Sequence, residues 1–152
     1  AYGGNDSDFD WPAIADAPDQ EHLPRTALPE FVEKLRCAAR MLRDAGVQPV
    51  LMTLPPIDSA RYFDFISRRN DGQRILTWLG DVGRIYRHQE LYSDTVAALA
   101  MSEGLPLIDV RRQFLPLRDL PRLIAADGIH LTMPGYRRLF DTLAAWVREQ
   151  LP

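Results

Sequence analysis

One cysteine, Cys37, stands among the 152 residues. That excludes an internal disulfide and any Cys-rich metal centre. Cys37 falls inside an amphipathic helix pattern, where a buried thiol is expected. No apolar run is long enough to span a bilayer, and no leader-like segment heads the chain. A cytoplasmic protein is therefore the expectation, although secretion is compatible with a chain that opens so abruptly. Internal repeats and low-complexity tracts are also missing. The charge balance is only mildly acidic, and the formal net charge of −3 gives no reason to expect nucleic acid or an anionic membrane as partner. The paired arginines Arg68-Arg69, Arg111-Arg112 and Arg137-Arg138 read as solvated helix faces.

What is present is an ordinary globular composition, 46% hydrophobic and 26% charged, enough for one domain spanning residues 1–152 with its own core. Residues 12 to 29 carry Pro, Ala and acid without a sustained period, and read as a long surface loop. PEFVEKLRCAARMLRDAG then places Phe31, Leu35, Ala38, Leu42 and Ala45 at helical spacing, with Pro29 in the first turn and Gly46 as the stop. The apolar run from about Pro49 to Leu54 reads as a buried strand. A short helix over SARYFDFISRR follows. Beyond Gly72 a helical stretch runs from about Gln73 to Glu103, broken near Gly80 to Gly83. LPLIDV is the second buried strand. After an irregular segment comes a closing helix capped by Thr132, with Tyr136, Leu139, Phe140, Leu143 and Val147 facing inward. This alternation is that of an α/β protein with a parallel, helix-covered sheet. The opening residues look like the carboxyl end of one more strand, and ligands bind at that edge in such sheets.

Two constellations could carry chemistry. Asp127 lies three residues before His130 in AADGIHLTMPGY. A carboxylate so placed can accept the imidazole Nδ1–H and leave the other nitrogen free to take a proton. A turn aspartate beside a histidine at a helix start is the plainer alternative. At the chain's opening, Gly3 and Gly4 precede Asn5 and Asp6. An asparagine amide donating to a developing alkoxide is worth roughly 3 to 4 kcal/mol in a transition state, although Gly-Asn-Asp turns are also common without any such role. A calcium loop on Asp6, Asp8 and Asp10 fails in detail, because Trp11 stands where glycine is needed and Ala17 where glutamate is needed.

GGND at residues 3–6, followed a domain's length later by DGIH at residues 127–130 and a Gly-Tyr helix start, resembles the SGNH (GDSL-type) hydrolase family. That resemblance implies a three-layer α/β/α flavodoxin-like fold and a serine esterase or lipase chemistry needing no cofactor and no metal. It implies Asn5 as an oxyanion-hole amide supported by the turn residues Gly3, Gly4 and Asp6, His130 as general base, and Asp127 as its orienting acid. The family's Gly-Asp-Ser block does not occur in these residues. By that reading the first one or two strands of the family's sheet are absent from this chain, and with them the nucleophile.

Ser59, after a buried strand and before a helix, has the outline of a nucleophile elbow, but Pro55-Pro56 replaces the glycine such a turn needs. Ser7 sits beside Asn5, with its position along the turn expected to point it away. Ser67, Ser93 and Ser102 read as surface helix residues, His88 as an ordinary helix histidine, and His22 as a loop residue. The expected partner is a small-molecule, carbohydrate or lipid ester. An unpaired strand edge would further favour self-association or a separate N-terminal fragment. Two rivals stand beside the esterase: an inactive binding or scaffold domain of the same fold, and a metal-dependent phosphoesterase using Asp6, Asp8, Asp127 and His130.

Overall fold

Two parallel strands, β1 (Leu51–Met52) and β2 (Leu107–Ile108), pair with Leu51 opposite Leu107 and Met52 opposite Ile108. The computed structural model describes residues 3–150. The expected strand end at the opening includes Ala1 and Tyr2, which lie outside the described residues. Beyond the named strands the ladder continues on single bonds, with Leu51 N–H donating to Pro106 O at 2.9 Å and Thr53 N–H to Ile108 O at 3.1 Å. Both strands are shorter than their apolar runs. Pro49, Pro55, Pro56 and Pro106 have no N–H to donate, so the ladder stops where they begin.

Period-two alternation sends the strand side chains to two different layers. Leu51 and Leu107 pack with Phe31, Leu54, Tyr92 and Val96, against α2 (Leu28–Asp44) and α5 (Gly83–Ser102). Met52 and Ile108 pack with Phe114, Leu123, Leu139 and Leu143, against α6 (Val110–Phe114), α7 (Leu120–Leu123) and α8 (Met133–Gln150). This is the helix–sheet–helix layering expected of the sequence. α3 (Ser59–Ser67) and α4 (Gly72–Leu79) complete the elements between the strands, and the break between α4 and α5 falls at Gly80.

Residues 12 to 29 are not all loop. α1 (Trp11–Asp16) opens them, with Asp10 capping the Ala13 N–H at 3.2 Å and Pro12 in its first turn. Trp11, Ile14 and Ala15 are buried with Phe9, Tyr62, Ile66, Ile75 and Ile85. At six residues the helix is too short to impose a period on the sequence, so packing, not propensity, makes it. Cys37 is exposed rather than buried, because the buried positions of α2 are Phe31 and Ala39 and its second half is largely uncovered. Ser93 is fully buried and Arg111 is 5% exposed, against the expectation of surface positions. The Arg111 guanidinium donates to Ser93 Oγ and Tyr86 Oη at 3.0 Å each and to Gln89 Oε1. Ser93 Oγ in turn accepts the Leu54 N–H at 3.1 Å. A buried cation is tolerated when its donors are met in this way.

α8 is turned from the expected phase. Tyr136, Phe140 and Val147 are exposed, while Leu139, Leu143 and Trp146 pack inward. Gly135 fixes that rotation: a Cβ there would lie 2.3 Å from the Leu123 carbonyl oxygen. Steps of three and four residues from Gly135 then lead through Leu139 and Leu143 to Trp146. Thr132 caps as expected, its Oγ1 accepting the Gly135 N–H at 3.3 Å.

Ile14 has no exposed surface. Replacing it by alanine is expected to cost about 2 to 5 kcal/mol, read as a lower urea midpoint at unchanged slope. Loss below about 0.5 kcal/mol, ordinary for surface positions, would show that α1 is not part of the core.

Candidate active site

The opening turn is built from its own polar groups. Ser7 N–H donates to Gly3 O at 2.9 Å, and the Asp6 carboxylate takes the Gly3 N–H at 3.0 Å. Ser7 Oγ donates back to Gly4 O at 3.1 Å. A second layer ties the turn to the following loop. Arg25 N–H and Thr26 N–H donate to Asp8 O and Asp6 O, and Tyr92 Oη donates to Thr26 O at 2.6 Å. Asn5 is thereby presented on an exposed, anchored turn.

The second constellation is a tight loop closed by an antiparallel bridge between Ile124 and Leu131. Ala125 N–H donates to His130 O at 2.8 Å. Asp127 Oδ1 accepts the backbone N–H groups of Ile129 and His130 at 3.0 Å each, and Oδ2 lies 2.7 Å from His130 Nδ1. The carboxylate thus fixes both the loop and the ring. With Nδ1 held, Nε2 is the nitrogen left to exchange a proton, on a side chain 66% exposed. Partial burial pushes the Asp127 carboxyl up, but hydrogen bonds from the His130 backbone and ring and from Ile129, with the charge of His130, hold it below its ordinary 3.8.

Gly128 seats this loop on α3. Its φ is +82°, and a Cβ there would lie 2.4 Å from Tyr62 N and 2.5 Å from Asp58 O. Its carbonyl accepts the Asp58 N–H at 2.8 Å. No other residue fits that backbone and that gap.

Asn5 and His130 line one open cavity of about 220 Å³. Phe9, Trp11, Leu54, Ile57, Tyr62 and Ile85 supply its largely apolar walls. Of the serines singled out from the sequence, Ser7 lines this cavity, whereas Ser59 begins α3 behind the Asp58 cap and is not among the lining residues. His88 does line it, although its helical setting gave no such signal. The ring lies against Phe9 and Tyr92, with centroids 4.7 and 5.3 Å away. Burial first, then the charge of Arg84, pushes its pKa down, so it stands neutral. Asp8 and Tyr62 also line the cavity, and spacing in the sequence could not have joined them. Among the described residues no three His, Cys, Asp or Glu side chains converge as metal ligands, so Asp6, Asp8, Asp127 and His130 do not form one cluster. No helix among those residues is long and apolar enough to cross a membrane.

No family model matches the chain. Individual proteins do. A GDSL esterase/lipase of Arabidopsis thaliana is 26% identical over 151 residues, covering 97% of this chain and 52% of that protein. The isoamyl acetate-hydrolyzing esterase of Saccharomyces cerevisiae is 21% identical over 126 residues, covering 82% of this chain and 50% of the esterase. In fold, a lipase/acylhydrolase from Enterococcus faecalis superposes with a TM-score of 0.65 at 19% identity, over 99% of this chain and 60% of the other. In sequence and in fold this chain is thus similar to GDSL-type esterases and lipases. A GDSL-like lipase from Bacteroides thetaiotaomicron matches with a TM-score of 0.55 at 13% identity, over 79% of this chain and 52% of the lipase. The α/β layering described above is therefore the fold of these GDSL-like lipases, and the chain spans about half the length of the curated relatives it matches.

Asp127 has a depressed folded-state pKa. The stability it contributes is present above its unfolded value and is lost as pH falls through the folded value. A carboxyl ¹³C titration is expected to place its midpoint below 3.8; a midpoint at or above 3.8 would contradict the loop geometry. Gly128→Ala, which strains φ and crowds α3, is expected to lose about 2 to 5 kcal/mol, measured by denaturant unfolding.

Proposed function

We propose that this chain carries the base, its orienting acid and an oxyanion donor of a serine-dependent carboxylic ester hydrolase. The observation that carries the reading is the 2.7 Å contact between His130 Nδ1 and Asp127 Oδ2, at the rim of an apolar cavity shared with Asn5. Esterase and lipase names among the relatives support the reaction class.

In this mechanism His130 Nε2 takes the proton of a serine hydroxyl as its oxygen bonds to the ester carbonyl carbon. Asp127 stabilises the imidazolium. The Asn5 amide donates to the carbonyl oxygen as it becomes an alkoxide. Collapse breaks the bond to the alcohol oxygen, which leaves with the proton from His130. Water then repeats the sequence on the acyl-enzyme and releases the acid. No Gly-Asp-Ser occurs in these 152 residues, and Ser7, in the cavity lining, already donates to Gly4 O, so neither is assigned the part of the nucleophile. A small ester with its apolar part against the Phe9, Trp11 and Ile85 wall suits the cavity.

That occupied hydroxyl also supports a second reading, a domain that binds esters without cleaving them. A fluorophosphonate probe on the full gene product separates the two. Labelling that disappears in His130→Ala supports hydrolysis; no labelling of the unaltered protein supports the binding domain.

With p-nitrophenyl acetate as substrate, Asn5→Ala is expected to lower kcat by about 10²- to 10³-fold. Asp127→Asn should lower it by up to about 10⁴-fold by admitting the wrong tautomer. Full activity in His130→Ala would overturn the assignment of the base.

A further inference from the structure

Asn5 and His130 reach the same cavity from segments far apart in the sequence, and something must set the gap between them. α3 touches both. On one side, Asp58 N–H donates to Gly128 O at 2.8 Å, and the backbone of Tyr62 lies where a Gly128 side chain would have to go. On the other side, Tyr62 Oη donates to Asp8 Oδ1 at 2.8 Å. Asp8 follows Asn5 by three residues, and its N–H donates to Asn5 O at 3.3 Å. Trp11 Nε1 reinforces the joint, lying 2.9 Å from Asp8 Oδ1 and 3.0 Å from Tyr62 Oη.

Resting on the ester-hydrolase reading, we infer that Tyr62 is a positioning residue: through Asp8 it holds the Asn5 turn at a fixed distance from the loop that carries His130. The same residue thus bears against both halves of the site, with its backbone on Gly128 and its hydroxyl on Asp8. Burial, followed by the Asp8 charge, pushes the phenol well above its ordinary value, so the hydroxyl stays a donor. Tyr62 and Trp11 are both about 6% exposed, which shields the joint from competing water. Oxyanion stabilisation depends on a donor held within hydrogen-bond reach of where charge develops. A misplacement of about 1 Å can cost as much as 10²-fold.

The test uses the full gene product and five variants. Tyr62→Phe and Asp8→Ala are each expected to lower kcat about tenfold while KM changes less than about twofold, well below the unfolding temperature. The double variant is expected to be no slower than the slower single one, because both break the same joint. Asp8→Asn retains the oxygen that accepts both bonds and is expected to restore most of the rate. Arg87→Gln, which breaks an exposed pair with Asp81, is the control and should leave kcat unchanged. ¹⁵N relaxation gives a second readout independent of turnover. Order parameters for residues 4 to 8 should fall from about 0.85 toward 0.6 in Tyr62→Phe and Asp8→Ala, and stay high in Asp8→Asn and Arg87→Gln. Unmoved order parameters and unmoved kcat in Tyr62→Phe would overturn the inference. Hydrolysis that survives His130→Ala would instead defeat the ester-hydrolase reading, and the order parameters would still decide whether Tyr62 holds the turn.

Discussion

The seat of Gly128 on the first turn of α3 is the contact on which the site depends. The glycine carbonyl accepts the Asp58 N–H, and Tyr62 N and Asp58 O fill the space a side chain would occupy. Because the gap is closed on one side by helix backbone, it cannot relax by a rotamer change. The loop carrying Asp127 and His130 is therefore placed by main-chain geometry rather than by adjustable side chains. Arg61 strengthens the seat by donating to Pro121 O and Ile124 O at 2.7 and 2.9 Å, joining α3 to the segment that leads into that loop.

A parallel network supports the opposite wall. Arg111, buried below the sheet edge, holds Ser93 and Gln89 of α5. Ser93 accepts the Leu54 N–H, and Gln89 Nε2 donates to Pro55 O at 3.0 Å. Those two residues line the cavity, where proline prevents the strand from supplying bonds of its own. Side chains of a neighbouring helix thus replace the ladder where it ends. The apolar layers give the fold its cohesion, and these two polar networks give the cavity its shape.

The sequence made the alternation of helices and strands legible, along with the break at Gly80, the Thr132 cap and the pairing of Asp127 with His130. Those features are local: a period, a cap and a three-residue spacing are all written within one turn or one element. What the sequence concealed was set by tertiary packing. α1 is too short to show a period, so its burial depends on partners as distant as Ile75 and Ile85. The apolar stripe of α8 is wide enough to allow several rotations, and the approach of Gly135 to Leu123 chooses one. Arg111 and Ser93 look like surface residues until each is seen to satisfy the other. Tyr62 and Asp8 are 54 positions apart, and nothing in either neighbourhood announces the other.

His130 and its carboxylate partner share one short loop, closed by the Ala125–His130 and Ile124–Leu131 contacts. Ring orientation is consequently inherited as a cassette. Changes elsewhere in the molecule can shift the pair relative to the cavity, but they do so without uncoupling imidazole from acid. Substitutions in the walls are thus free to reshape the cavity, while the pairing of His130 with Asp127 stays intact.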